Sequence, residues 1–152
     1  MAWASKLPDA LDALVTVFTT AEGLAGVTVR DGASVSQARI NEIISVGYTG
    51  NEDDSAAEAT LLTEGLGGSP DREQITIRCA AAVLIGKADL SQARQRVYEL
   101  FQAAAQAIAA DRTLRGTVMR AMVGSHSLTQ DQMDQGAQAV IVFTVECDAY
   151  TR

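Results

Sequence analysis

Apolar positions along this chain change period several times, and each change marks a new element. Leu7, Leu11, Leu14, Val15 and Phe18 recur at helical spacing, with Pro8 where a first turn tolerates it and Asp9 and Asp12 at the positive end of the helix dipole. The spacing predicts a helix from about Pro8 to Ala21, closed by Gly23 and Gly26. Val27, Thr28 and Val29 before Asp31-Gly32 read as a short strand, and Arg39 to Thr49 as a second. In that second strand Ile40, Ile44, Val46 and Tyr48 share one parity, and Ile43, Ser45 and Gly47 the other. From about 50 to 72 the periodicity lapses into an acidic loop rich in Gly, Ser and Ala, with a short strand expected around Ala59 to Thr63.

Strict alternation returns from Glu73 to Gly86. Ile75, Ile77, Cys79, Ala81, Val83 and Ile85 lie on one face, and Gln74, Thr76, Arg78, Ala80 and Ala82 on the other. Asp89 with Gln92 three residues on has the capping-box spacing, and Leu90, Ala93, Val97, Phe101, Ala104 and Ile108 form one helical stripe ending near Asp111. Thr117 to Ser127 predicts a strand and Thr129 to Gln135 a turn. Ala137 to Tyr150 predicts a final strand with Ala139, Ile141, Phe143, Val145, Cys147 and Ala149 buried. Its other face is polar apart from Val140 and Val142. The order argues for an α+β domain over 1–152, with two helices on one face of a mainly antiparallel sheet.

At 152 residues the chain has the length of about one domain, enough for a real core without disulfides. Although 47% of it is hydrophobic, no run approaches the ~18–20 apolar residues of a membrane span, and the start lacks a signal-peptide pattern. The expectation is a protein made and kept in the cytosol, where Cys79 and Cys147, each inside an apolar strand pattern, stay buried and reduced. A disulfide between neighbouring strands is the alternative. The net charge is −7, and six of those seven excess charges fall between Glu52 and Glu73, where Glu52, Asp53, Asp54, Glu58, Glu64, Asp71 and Glu73 face only Arg72. The rest is nearly neutral, without the basic footprint of a specific nucleic-acid binder or a polybasic membrane patch.

Candidate chemistry is sparse. His126 lies beside Ser125, Ser127 and Asp131, but adjacent strand residues point to opposite faces, so Ser125 and His126 do not form a nucleophile–base pair and His126 reads as a solvated strand end. Two distant thiols and one imidazole make no zinc site, and Glu52, Asp53 and Asp54 lack the alternating ligands of a calcium loop. Gly65 to Gly68 is not followed by the Lys-Ser or Lys-Thr of a phosphate cradle. Glu146 and Asp148 pair on one strand face, with nothing to desolvate either for acid–base work. The expectation is no enzyme, no cofactor and no metal. Trp3, alone in a polar start, either covers a local patch or anchors on a neighbouring subunit.

Three stretches carry a resemblance: GLGGSPDREQITIRC (Gly65 to Cys79), ADRTLRGTV (Ala110 to Val118) and GAQAVIVFTVECDA (Gly136 to Ala149), in that order around the helix SQARQRVYELF. With them, nearly the whole chain resembles actinobacteriophage members of the tail terminator family, departing from it at Arg112 and Arg115, where that pattern has Pro and Gly. The resemblance implies a structural virion protein at the tail–neck junction, assembled in the host cytoplasm. It implies a homo-hexameric ring that stacks on the tail tube protein, ends its polymerisation and docks the head–tail connector and neck proteins, while DNA passes through unbound. On that reading part of the acidic segment (Glu52, Asp53, Asp54, Glu58, Glu64) faces the channel or an adjacent ring. Trp3, Arg94, Arg96, Arg112 and Arg115, with Arg120, are then candidates for the subunit interface. A head completion or stopper protein and, more remotely, a dimeric non-viral α+β binding module are the alternatives.

Overall fold

A computed structural model describes residues 4–33, 41–62, 71–134 and 136–151. The elements are α1 (Leu7–Thr20), a 3-10 turn (Glu22–Leu24), β1 (Thr28–Asp31), β2 (Glu42–Val46), β3 (Ala57–Leu62), β4 (Arg72–Ile85), α2 (Leu90–Ala110), β5 (Arg120–Met133) and β6 (Gly136–Tyr150). The strands form one sheet in the order β1-β2-β4-β6-β5, with β3 also paired to β4. Among the described residues only β1 and β2 run parallel, and every other pair is antiparallel. This is the expected α+β class.

The sheet is built outward from β4 and β6, which pair without interruption from Arg72↔Tyr150 to Ile85↔Ala137. Because alternate side chains share a face, that register sets Ile75, Ile77, Cys79, Ala81 and Val83 beside Ala139, Ile141, Phe143, Val145, Cys147 and Ala149, all of them buried. Helix α2 lies on β4, β5 and β6, and α1 on the β1–β3 side. Phe143 joins the two helices, its ring edge-on to Phe18 of α1 at 6.5 Å and to Phe101 of α2 at 5.2 Å.

The two helices start in different ways. Asp89 caps α2, its carboxylate accepting the Gln92 amide at 3.1 Å as its spacing predicts. No side chain at the N-cap of α1 bonds to that helix. Instead Glu73 on β4 reaches it: its carboxylate accepts the Lys6 amide at 2.9 Å and the Ser5 hydroxyl at 2.6 Å, while Glu73 itself is 1% exposed. The acidic segment therefore does not extend to Glu73, whose charge fastens α1 to the sheet and complements the helix dipole.

The boundaries differ from expectation most at two strands, and β5 also starts at Arg120 rather than Thr117 and β3 at Ala57 rather than Ala59. The described part of the second strand is shorter, Glu42–Val46. β5 is longer, running through Thr129 to Met133 where a turn was expected and pairing Thr129↔Val140 through Met133↔Gly136. Its polar residues mark an exposed edge rather than a turn, because an edge strand has only one neighbour to bury it. Gly136, at φ 132°, makes the hairpin possible: a Cβ there would lie 1.7 Å from the Ile85 carbonyl oxygen.

Between α2 and β5 the backbone enters the left-handed region at Leu114 (φ 46°), Arg115 (φ 61°) and Gly116 (φ 80°). The departure at Arg115 thus falls where glycine is favoured, at a backbone cost of about 1–2 kcal/mol per non-glycine residue. Burial of Leu114 and the Asp111 carboxylate, which accepts the Arg115 amide at 2.9 Å, offset it.

Glu73→Ala removes both bonds at the start of α1 and is expected to cost about 1–3 kcal/mol in chemical denaturation, with amide exchange accelerated first in the opening turn of α1. Unchanged stability and exchange would contradict the fastening role.

Candidate functional site

With α1 and α2 on one face, the opposite face of the sheet has no helix on it among the described residues. Toward the Arg72 end of β4 it carries Glu58 and Thr60 from β3, Gln74 and Thr76 from β4, Glu146 and Asp148 from β6, and Arg120 and Met122 from β5, lining a shallow depression. Toward the other end the same face turns apolar, with Ile43, Ala82, Val140 and Val142 half-buried. Thr76 donates to Glu146 at 2.7 Å, and Arg78 bridges to Glu58 and donates to Ser55 at 2.7 Å. These bonds hold the carboxylates as parts of an open polar surface. Neither is buried as a general acid would be.

The acidic residues divide. Glu52 and Asp53 are exposed in a turn that Asn51 closes by accepting the Asp53 amide at 3.0 Å. Asp54 is used internally, accepting from the nearly buried Thr49 hydroxyl at 2.7 Å. Glu58 is tied to Arg78. Glu64 and Trp3 lie outside the described residues, as does Ile40.

The candidate interface arginines are not brought together. Arg94 and Arg96 lie near the start of α2, and Arg112 and Arg115 beyond its end, which is about 21–24 Å away at 1.5 Å per helical residue. Arg94 donates to Gln130 at 3.0 Å. Arg96 makes a two-pronged bridge to Glu42 on β2, at 2.5 and 3.0 Å, and another to Glu99 at 2.8 Å. That guanidinium holds the Glu42 carboxyl below its usual range, outweighing the opposite effect of burial. Arg96 therefore braces α2 against the sheet. Arg112 and Arg115 are exposed, and Arg115 lines a groove with Asp9 and Asp12 of α1.

His126 does not lie at a strand end. It is inside β5, just past a bulge between Val123 and His126, exposed but with its ring 4.7 Å from Phe101 and its Nε2 3.3 Å from the Tyr98 hydroxyl. Ser125 turns to the other face, its amide donating to Thr144 Oγ1 at 3.0 Å. The serine and the imidazole thus point apart, as alternation requires. Cys79 and Cys147 are free and buried; the register sets Cys79 opposite Phe143 and Cys147 opposite Ile75, four residues out of step. At about 3.4 Å per residue that offset is beyond disulfide reach.

Among the described residues no group of three or more His, Cys, Asp or Glu side chains is placed to hold a metal ion, and no helix is long and apolar enough to cross a membrane. No protein-family model matches the sequence, and no curated protein matches it.

Sequence reasoning missed the residues that stand out on the surface: Leu61, Met119, Met122 and Tyr150, large apolar side chains left exposed. Met119 ends the turn and Met122 follows on the exposed parity of β5, a signal visible only once β5 is known to be an edge.

Burial pushes both thiols up to about 12 from an ordinary value of 9.0, with Cys147 raised further by Glu146 and Asp148. The folded state thus holds these protons more tightly than the unfolded chain. The stability they contribute is complete below about 9 and is lost as pH rises from there toward 12. The native protein should leave both thiols unreacted with a thiol reagent at pH 8, and the denatured protein should expose both. Rapid reaction without unfolding would contradict the burial.

Proposed function

We propose that this chain is a phage tail terminator: a structural protein that closes the tail tube as a six-membered ring and presents the docking surface for the neck proteins. The observation that carries the reading is the way the three resembling stretches meet. The described part of the first forms the opening half of β4, through Cys79, the third forms nearly all of β6, and the two pair in the central ladder of the sheet. The second forms the left-handed turn that leads α2 into the neighbouring strand β5. Motifs scattered over the sequence are thus contiguous in the fold, as expected if they specify one architecture.

The surface supports the same reading. An open polar face and exposed strand edges suit a protein whose work is contact with other chains, and closed rings arise from heterologous contacts of that kind. Exposed Glu52 and Asp53 give one flank a negative field that, over the ~8 Å Debye length of physiological salt, repels DNA phosphates. A passage that DNA must slide through without binding needs that sign. The neck stopper reading remains the alternative, and the deletion phenotype separates the two.

Electron microscopy of particles made from the encoding genome with this gene deleted is expected to show overlong or irregular tails beside unjoined, filled heads. Tails of normal length lacking heads would move the protein to the neck, and normal virions would contradict both readings.

A further inference from the structure

The sheet ends in two unlike edges. On one side β5 has β6 as its only partner, and on the other β3 has only β4, among the described residues. Each leaves a row of backbone donors and acceptors unpaired. Such edges are usually blunted by lysine, proline, a bulge or a covering element; β5 has no lysine or proline, and its bulge lies beyond Val123, leaving Arg120–Val123 in regular register.

The two edges match in height, direction and face. Leu61 of β3 pairs with Glu73, and Glu73 with Ala149; Met119, one residue before the Arg120↔Asp148 pair, stands at that same level on the far edge. Alternation puts both on the helix-bearing side of the sheet. Leu61 is 44% and Met119 48% exposed. Three rungs up, Glu58 and Met122 share a level on the open face, since both align with the Thr76↔Glu146 pair. Because β3 and β6 run antiparallel to β4, and β5 antiparallel to β6, β3 and β5 run in opposite senses. Rotation about an axis along the strands preserves both height and sense. It brings β3 of one copy beside β5 of the next as an antiparallel pair, with Leu61 facing Met119.

The bulge in β5 fits this pairing. It lies between the levels of Ile77 and Cys79, and Cys79 is where β1 begins one strand further out, through Val46↔Asp31. A bulge bends its strand, so the segment below it, Arg120–Val123, can follow β3 while the segment above turns away from β1. Two-fold pairing of β5 with itself would cover the methionines and leave Leu61 bare.

We propose that a second copy of this chain docks its β3 edge on the β5 segment Arg120–Val123, so that the sheet runs on from subunit to subunit with Leu61 of one chain against Met119 of the next. The inference deepens the ring reading by naming the contact that closes it. The same edge would join copies of any head-to-tail assembly.

The test mixes Leu61→Cys chains with Met119→Cys chains at high micromolar concentration and treats them with a short bismaleimide. Each variant is first checked for an unchanged melting curve, and the wild type controls for the buried Cys79 and Cys147. A covalent dimer that forms only in the mixture and maps to positions 61 and 119 is the expected result. Dimers formed by the Met119→Cys chain alone would overturn the proposal in favour of a two-fold contact, and absence of any covalent dimer would overturn it outright. Six-subunit assemblies in native mass spectrometry without the 61–119 link would refute this contact and leave the ring reading standing. The link in a protein missing from virions would refute the ring function and leave the contact.

Discussion

The ladder between β4 and β6 is the constraint on which everything else depends. It aligns two alternating sequences so that Ile75, Ile77 and Val83 of one and Ile141, Phe143 and Val145 of the other fall on one buried face. A slip of one residue in either strand would carry its whole apolar row to the open face. Phe143 gathers the helices onto that row, and the Glu73 carboxylate anchors α1 from the same strand pair. The outer strands add to a frame already fixed, and among the described residues their far sides carry no further strand.

That division gives the protein its character. The helix-bearing face is dry and tightly packed around aromatic and β-branched side chains. The open face is a mixture of paired carboxylates, hydroxyls and short apolar side chains, a surface and not a cleft. Even its ion pairs serve position: Arg96 with Glu42 ties α2 to β2, and Arg78 with Glu58 ties β4 to β3. Exposed apolar groups collect where the sheet's edges share a height, the feature that apolar contact between copies would use.

Much of this was legible in the sequence, for physical reasons. The parities of β4 and β6, the stripe of α2 and its Asp89–Gln92 cap are local patterns enforced by burial, and a buried face admits few exceptions. The polar second half of β5 reads as a turn in the sequence because an edge strand loses the alternation that a second neighbour would impose. Glu73 was grouped with its acidic neighbours because its partners, Ser5 and Lys6, lie far away in sequence and only the folded chain joins them. Arg96 was offered to a neighbouring subunit for the same reason: its partner Glu42 is on another element. Of the candidate site, Glu52, Asp53, Arg112 and Arg115 are exposed, which leaves them available for the channel and interface roles the resemblance implies. The match of height between Leu61 and Met119 is a property of the three-strand register, which no local pattern contains.

The proposed role requires the molecule to occupy one place in a larger particle, and its location tests that most directly. Gold-labelled antibody against the chain, applied to intact virions and to tails released from heads, is expected to mark a single site at the head-proximal end of the tail. Label spread along the tube, confined to heads, or absent from particles altogether would contradict it.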